Sequence, residues 1–134
     1  MIVTIVRHGQ AGSAARDEAR LLTDKGTDDA GFGSHRLREL CGERSVVLPN
    51  QIFHSSWRRT TQTAEIIEAA FSASIDAWDC LLPSGTVADV DRALTRIPES
   101  SSHCVLVGHQ PMVSMLVDHY LAEPGRVPSL SPGG

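Results

Sequence analysis

Two short apolar runs, each leading into a histidine, restrict the folds open to this chain more than any other feature. Ile2-Val3-Thr4-Ile5-Val6 runs directly into Arg7-His8-Gly9, and Cys104-Val105-Leu106-Val107 runs into Gly108-His109. A histidine leaving the C-terminal end of a buried strand sits where open α/β sheets build their ligand sites. Two strands therefore deliver two histidines to one place. Arg7 beside His8 adds a guanidinium whose fork of donors matches phosphate oxygens, and imidazole is a competent nucleophile, so the pair suggests phosphoryl transfer on an anionic substrate.

The rest of the chain alternates strand-like with helix-like segments, which argues for βαβ units around a largely parallel sheet. Thr23 is an expected N-cap for a helix with Ala30, Gly33, Leu37, Leu40 and Cys41 on one face. Gln51-Ile52-Phe53-His54 reads as a short strand, followed by a helix capped by Ser55 or Ser56, with Arg59 in its first turn and Thr63, Ile67, Ala70 and Phe71 inward. Ser74 to Trp78 is a candidate edge strand. Thr86 and Asp89 resemble a capping box for a helix carrying Val87, Val90, Leu94 and Ile97 and ended by Pro98. Pro111 suits a first helical position after Gln110, with Val113, Leu116, Val117 and Tyr120 forming the last apolar face. One domain is expected over residues 1–122, with an irregular tail over residues 123–134, where three prolines and three glycines fall.

At 134 residues the chain is long enough to bury a core without metal or disulfide staples. A formal net charge of -4 gives no general attraction for nucleic acid or an anionic membrane, so any positive field is local, with Arg7, Arg58 and Arg59 as its source. The three cysteines, Cys41, Cys80 and Cys104, are widely spaced without a Cys-x-x-Cys pair, and a reducing cytoplasm is the simplest setting. Arg7 and His8 interrupt the apolar opening before it reaches signal-peptide length, and no stretch approaches membrane-spanning length.

The order Arg7-His8-Gly9, Leu22-Thr23-x-x-Gly26, Ser55-x-x-x-Arg59-x-x-Gln62-Thr63 and Gly108-His109 resembles the histidine phosphatase superfamily, to which phosphoglycerate mutases also belong. Length and spacing most resemble its small bacterial branch, the SixA-type phosphohistidine phosphatases. The resemblance implies a three-layer α/β/α fold with a mostly parallel central sheet, phosphoglycerate mutase-like. It also implies that His8 is the nucleophile, forming a phosphohistidine intermediate that water hydrolyses, with Arg7, Arg59 and His109 around the phosphoryl oxygens and no metal or other cofactor. The implied partner is a phosphohistidine-bearing protein or a small phosphorylated substrate.

Gly9, Gln10, Arg20 and Gln110 are further candidates for substrate contact; for Arg20 a solvated surface role is the equal alternative. Thr23 and Gly26 read as helix-start architecture, and Ser55, Gln62 and Thr63 as supports for the Arg59 helix. Arg58 reads as a surface residue at the site rim. His35, His54, His103 and His119 match no motif and read as surface or loop histidines, while Cys41 and Cys104 read as small core residues.

Two departures from the family pattern stand out. Many members place a glutamate, used as general acid, where Cys80 stands, and a thiol is a poor proton donor at neutral pH. Adjacent Asp79 would point elsewhere if the stretch is extended. Loss of the acid is expected to favour leaving groups that need no proton, such as the imidazole of phosphohistidine or an aryl oxide, over alkyl phosphates. Second, no strand pattern follows the final helix where the family usually has one more strand, so either the chain is cut short and the sheet lacks its last strand or the fold closes differently. The competing functions are phosphatase action on small phosphoesters and a phosphoprotein-binding module without turnover. A metal site of His8 and His109 fits poorly, because no carboxylate accompanies either histidine and Arg7 would repel a cation.

Overall fold

In a computed structural model of the chain, which describes residues 1–98 and 100–121, side-chain alternation along three strands decides the layers. Four parallel strands, β1 (Ile2–Arg7), β2 (Gln51–His54), β3 (Ser74–Ala77) and β4 (His103–Gly108), form one sheet in the order β1-β4-β2-β3. Val3, Ile5, Phe53, Cys104 and Leu106 face one side, where they pack with Val90, Leu94, Met112, Val113, Leu116 and Tyr120. Val6, Ile52, Val105 and Val107 face the other, against Leu37, Cys41, Ala64 and Ile67. Successive strand residues point to opposite faces, so β1 and β4 need apolar residues at nearly every position, and their unbroken runs supply them. The result is a three-layer α/β/α fold. Helices α1 (Asp24–Glu43) and α2 (Arg58–Phe71) cover the second face; α3 (Val87–Leu94) and α4 (Met112–Leu121) cover the first.

The strand order fixes where a site can form. The chain passes from β1 through α1 to β2 and through α2 to the edge strand β3, then returns by α3 to insert β4 between β1 and β2. Arg7 pairs with Gly108 at the C-terminal ends of β1 and β4, and the His8 amide still donates to the Gly108 carbonyl at 3.2 Å. The two histidines that follow these strands therefore emerge side by side where the strand order reverses, the place at which sheets of this kind take ligands.

Local boundaries follow backbone chemistry. Thr23 accepts from the Gly26 amide and caps α1, and Thr86 accepts from the Asp89 amide and caps α3. Leu40 is only half-buried; Gly26 and Ser34 join Ala30, Gly33, Leu37 and Cys41 on the buried side. Neither Ser55 nor Ser56 caps α2: the N-cap position is Trp57, without a side-chain cap, and the Ser55 hydroxyl, two residues upstream, meets His109 instead of a helix amide. The buried side of α2 is Arg59, Thr60, Thr63, Ala64 and Ile67, with Ala70 and Phe71 half-buried. Helix α3 ends at Leu94, before Pro98, and α4 begins at Met112, one residue after Pro111.

Two histidines expected at the surface or in loops are instead buried within strands. His103 is fully buried at the start of β4, its Nδ1–H donating to the Val47 carbonyl at 2.7 Å and its Nε2 accepting from the Thr4 hydroxyl at 2.7 Å. Those two bonds use one donor and one acceptor, so the ring is held neutral, and burial lowers its pKa. His54 closes β2 with its Nδ1 against the Ser55 carbonyl at 2.8 Å. His35 and His119 are exposed. Cys41 and Cys104 are buried, and burial pushes the Cys104 thiol up to about 11. The expected irregular tail over residues 123–134, and with it the question of a last strand, lies outside the described residues. No helix among those described is long and apolar enough to cross a membrane.

Candidate active site

A cavity of about 650 Å³ opens at the C-terminal ends of β1 and β4, lined by Arg7, His8, Gly9, Gln10, Arg20, Arg59, His109 and Gln110. Every residue that the sequence marks as a candidate thus reaches one cavity. Ala11, Asp17, Lys25, Asp29, Trp57 and Pro83 complete the lining.

His8 is held from both sides of its ring. Its Nδ1–H donates to the Gly9 carbonyl at 2.7 Å, while its Nε2 accepts from Nε–H of Arg59 at 3.2 Å. Both bonds demand the same tautomer, with the proton on Nδ1 and the lone pair on Nε2. Burial lowers the His8 pKa, and the guanidiniums of Arg59, Arg7 and Arg20 lower it further against the opposing Gly9 bond. The ring is therefore neutral and nucleophilic near pH 7.

Gly9 is fixed by two close approaches. Its amide donates to the Thr63 hydroxyl at 3.1 Å, and Thr63 in turn donates to the Arg59 carbonyl at 2.8 Å, so α2 and the nucleophile loop share one polar link. On the other side the loop lies against the start of α1: a Cβ on Gly9 would sit 2.7 Å from the Gly26 carbonyl oxygen, and one on Gly26 would sit 2.8 Å from the Gln10 amide nitrogen. Only glycine fits at either position. Gln62 holds the same loop by accepting from the Leu22 amide at 2.8 Å, and Thr23 donates to Gln10 Oε1 at 2.9 Å.

His109 stands with its ring centroid 5.3 Å from that of His8. Its Nε2 meets the Ser55 hydroxyl at 2.8 Å, and Ser55 Oγ already accepts the Trp57 amide at 3.3 Å. With the Ser55 hydroxyl donating its proton to Nε2, the imidazole proton sits on Nδ1, which faces the cavity without a partner. Burial, with the charges of His8 and Arg59 nearby, pushes the His109 pKa down to about 4. Among the described residues, Nδ1 of His109 and Nε of Arg7 are the two buried side-chain nitrogen or oxygen atoms without a partner. Leaving such atoms unpaired is costly, and both residues line the cavity, where an oxyanion would satisfy them.

Arg59 is 7% exposed in its side chain and lies over the Trp57 ring at 4.8 Å, and the same ring meets His109 edge to face at 5.0 Å. Trp57 thus touches two of the groups around the cavity. Arg20 is tied to the chain at each nitrogen: Nε donates to the Gly12 carbonyl at 2.6 Å, Nη2 to the Ala11 carbonyl at 3.3 Å and Nη1 to the Asp17 carboxylate at 3.0 Å. Gln110 Oε1 accepts from the Ser114 amide at 3.0 Å, tying the last helix to the loop after His109. Arg58 is exposed and is not among the lining residues.

The segment expected to be extended around Cys80 is a 3-10 turn over Asp79–Leu81. Cys80 packs half-buried against the apolar core, burial raises its thiol pKa, and neither it nor Asp79 lines the cavity. The face alternation that would have turned Asp79 away does not apply in a turn; Pro83 is the residue of this segment that reaches the cavity. The carboxylates in the lining are Asp17, whose pKa is lowered chiefly by the Arg20 hydrogen bond, and Asp29, in an ion pair with Lys25 at 2.7 Å. Among the described residues no group of three His, Cys, Asp or Glu side chains is arranged to hold a metal ion.

No protein-family model and no curated protein sequence matches the chain. Solved structures do. The protein histidine phosphatase SixA complexed with tungstate superposes with a TM-score of 0.76 at 29% identity, covering 96% of this chain and 81% of that one. A protein assigned as phosphohistidine phosphatase SixA from Nakamurella multipartitia gives 0.74 at 28% identity, over 96% of this chain and 72% of that one. A phosphoglycerate mutase from Plasmodium falciparum shares the fold at 18% identity, with a TM-score of 0.65 over 90% of this chain and 69% of that one.

Proposed function

Belonging to the histidine phosphatase superfamily, in its SixA-type branch, the chain is, we propose, a metal-independent phosphohistidine phosphatase that acts on a phosphorylated protein through a phospho-His8 intermediate. The observation that carries this reading is the tautomer of His8: its Nε2 lone pair faces Arg59 in a cavity whose other walls are Arg7 and His109. A pure phosphate-binding pocket has no need of a nucleophile so prepared.

In the first step His8 Nε2 attacks phosphorus in line, the P–N bond to His8 forming as the bond to the leaving group breaks. In the second, water attacks the phosphoimidazole, releasing orthophosphate and returning the electron pair to Nε2. Arg7, Arg59 and Nδ1–H of His109 hold the equatorial oxygens, whose charge they stabilise without a divalent cation. Arg20, Gln10, Gly9 and Gln110 line the approach and contact substrate.

Leaving-group chemistry supports the phosphohistidine assignment. Both carboxylates of the lining are engaged in ion pairs, Asp17 with Arg20 and Asp29 with Lys25, and the Cys80 thiol is outside the cavity. An alkoxide would leave without a proton, whereas the imidazole of a phosphohistidine protonated on its second nitrogen leaves neutral.

The test is release of phosphate, with EDTA present, from a phosphohistidine-bearing protein, p-nitrophenyl phosphate and glycerol phosphate. His8-dependent turnover in the order phosphohistidine, aryl, alkyl is expected. Turnover of the alkyl ester as fast as the aryl ester would overturn the leaving-group argument. Binding of the phosphoprotein without release would make the chain a binding module.

A further inference from the structure

Two of the three nitrogens of the Arg59 guanidinium, Nε and Nη1, are engaged by groups within the chain. Nε–H points at the nucleophile's own lone pair at 3.2 Å, and Nη1 donates to the Asp17 carbonyl at 2.7 Å and stands 3.4 Å from the Asp17 carboxylate. The same carboxylate oxygen, Oδ1, takes Nη1 of Arg20 at 3.0 Å. One carboxylate oxygen thus bridges two arginines that line the cavity, as an oxygen of a phosphoryl group would.

We infer that Asp17 is an internal competitor of the substrate: its carboxylate occupies Nη1 of both Arg20 and Arg59, and a phosphoryl oxygen takes those two donors only by displacing it. Resting on the proposed phosphatase reading, this makes Asp17 a specificity-determining residue that favours the phosphoryl dianion over monoanionic or neutral groups. The exchange is practicable on three counts. Asp17 sits in a short 3-10 turn, Asp17–Ala19, with no buried residue. Its side chain is 56% exposed, so water takes up the displaced carboxylate cheaply. Arg59 keeps its bond to the Asp17 carbonyl and its seat on Trp57 whatever the carboxylate does, so releasing Asp17 does not release the arginine. Asp17 is also held ionised, with its pKa below the ordinary value, so it competes across the working pH range.

Asp29 provides the control, because it lines the same cavity but pairs with Lys25. Titration calorimetry with orthophosphate compares the wild type with Asp17→Asn and Asp29→Asn, and the p-nitrophenyl phosphate kinetics give KM and kcat. Exposed ion pairs of this kind contribute modestly, so Asp17→Asn is expected to bind orthophosphate about three- to tenfold tighter, with Asp29→Asn changing affinity less than about twofold. KM of Asp17→Asn should fall by the same factor, and kcat/KM should rise with it. Equal or weaker orthophosphate binding by Asp17→Asn, an equal gain in Asp29→Asn, or no binding by any of the three proteins overturns the inference, as does a loss confined to kcat, which would make Asp17 a support for Arg59. Tighter binding in a protein that turns over no phosphorylated substrate would leave the competitor in place and remove the phosphatase reading.

Discussion

Thr63→Val exchanges a hydroxyl for a methyl of the same shape at a fully buried position, and its consequence can be worked bond by bond. The hydroxyl accepts from the Gly9 amide at 3.1 Å and donates to the Arg59 carbonyl at 2.8 Å. Valine fills the volume, so no cavity opens. The Arg59 carbonyl keeps its main-chain helical bond and loses little. The buried Gly9 amide, however, has no other acceptor in reach, and an orphaned buried N–H costs about 1–3 kcal/mol. For a chain of this size that is a fall in Tm of about 3–10 °C, and a lower denaturant midpoint at unchanged slope. Activity should fall further than stability, because the Gly9 carbonyl that fixes the His8 tautomer is carried by the residue that has lost its anchor. A drop in kcat of about tenfold or more is expected at a temperature where the variant is folded, since small misplacements of a reacting group are expensive. Thr63→Ser retains the hydroxyl and should restore kcat. Guanidinium melts and p-nitrophenyl phosphate kinetics on the three proteins suffice. A valine variant within about 0.5 kcal/mol of wild type and equally active would refute the link between α2 and the nucleophile loop.

Gly26→Ala should destabilise by about 1–3 kcal/mol or more and impair activity, because the new Cβ meets the Gln10 backbone rather than a flexible side chain; a neutral melt would show that the loop yields freely. His8, His103 and His109 all have lowered pKa values in the folded chain, so the unfolded chain binds more protons as pH falls below about 6.5. Stability is then full above that pH and declines on acidification towards about 4, where His109 charges in the folded state; midpoints that stay level from pH 7.5 to 5 would contradict this. The neutral form of His8 persists below its ordinary range for the same reason. The acid limb of kcat/KM should consequently lie below pH 6.5, and a limb centred at 7 or higher would mean that the ring is not shielded as described.

Legibility in the sequence tracked how local each determinant is. The strands at residues 2 and 104 announce themselves because both faces of a central parallel strand are covered, so burial needs no alternation to be recognised. Thr23 and Thr86 cap helices through contacts three residues away, a range that sequence spacing captures. Ser55 serves a distant partner instead: the helix starts two residues later than its sequence suggests, and its hydroxyl meets His109, 54 positions further on, which no local rule anticipates. His54 and His103 read from sequence as surface or loop residues because a histidine alone says nothing about burial. Their places at the end of Ile52-Phe53 and the start of Cys104-Val105 put them inside strands, which was the signal available. At the cavity the motif residues were visible as types, whereas Asp17 and Trp57 belong to no motif and act through pairs with Arg59 that only the fold creates. The Cys80 segment shows the limit of analogy, since an extended reading assigned faces to residues that in fact lie in a turn.

The central claim is that His8 Nε2 takes the phosphoryl group. Rapid acid-free quench of the protein with radiolabelled phosphohistidine-bearing protein or labelled aryl phosphate, with EDTA present, followed by peptide mapping, tests it directly. The account predicts label that is lost in acid, stable in base and located on His8 at the Nε2 position, together with no label in His8→Ala. Steady release of phosphate from a His8→Ala protein, or label on any other residue of the wild type, would contradict it.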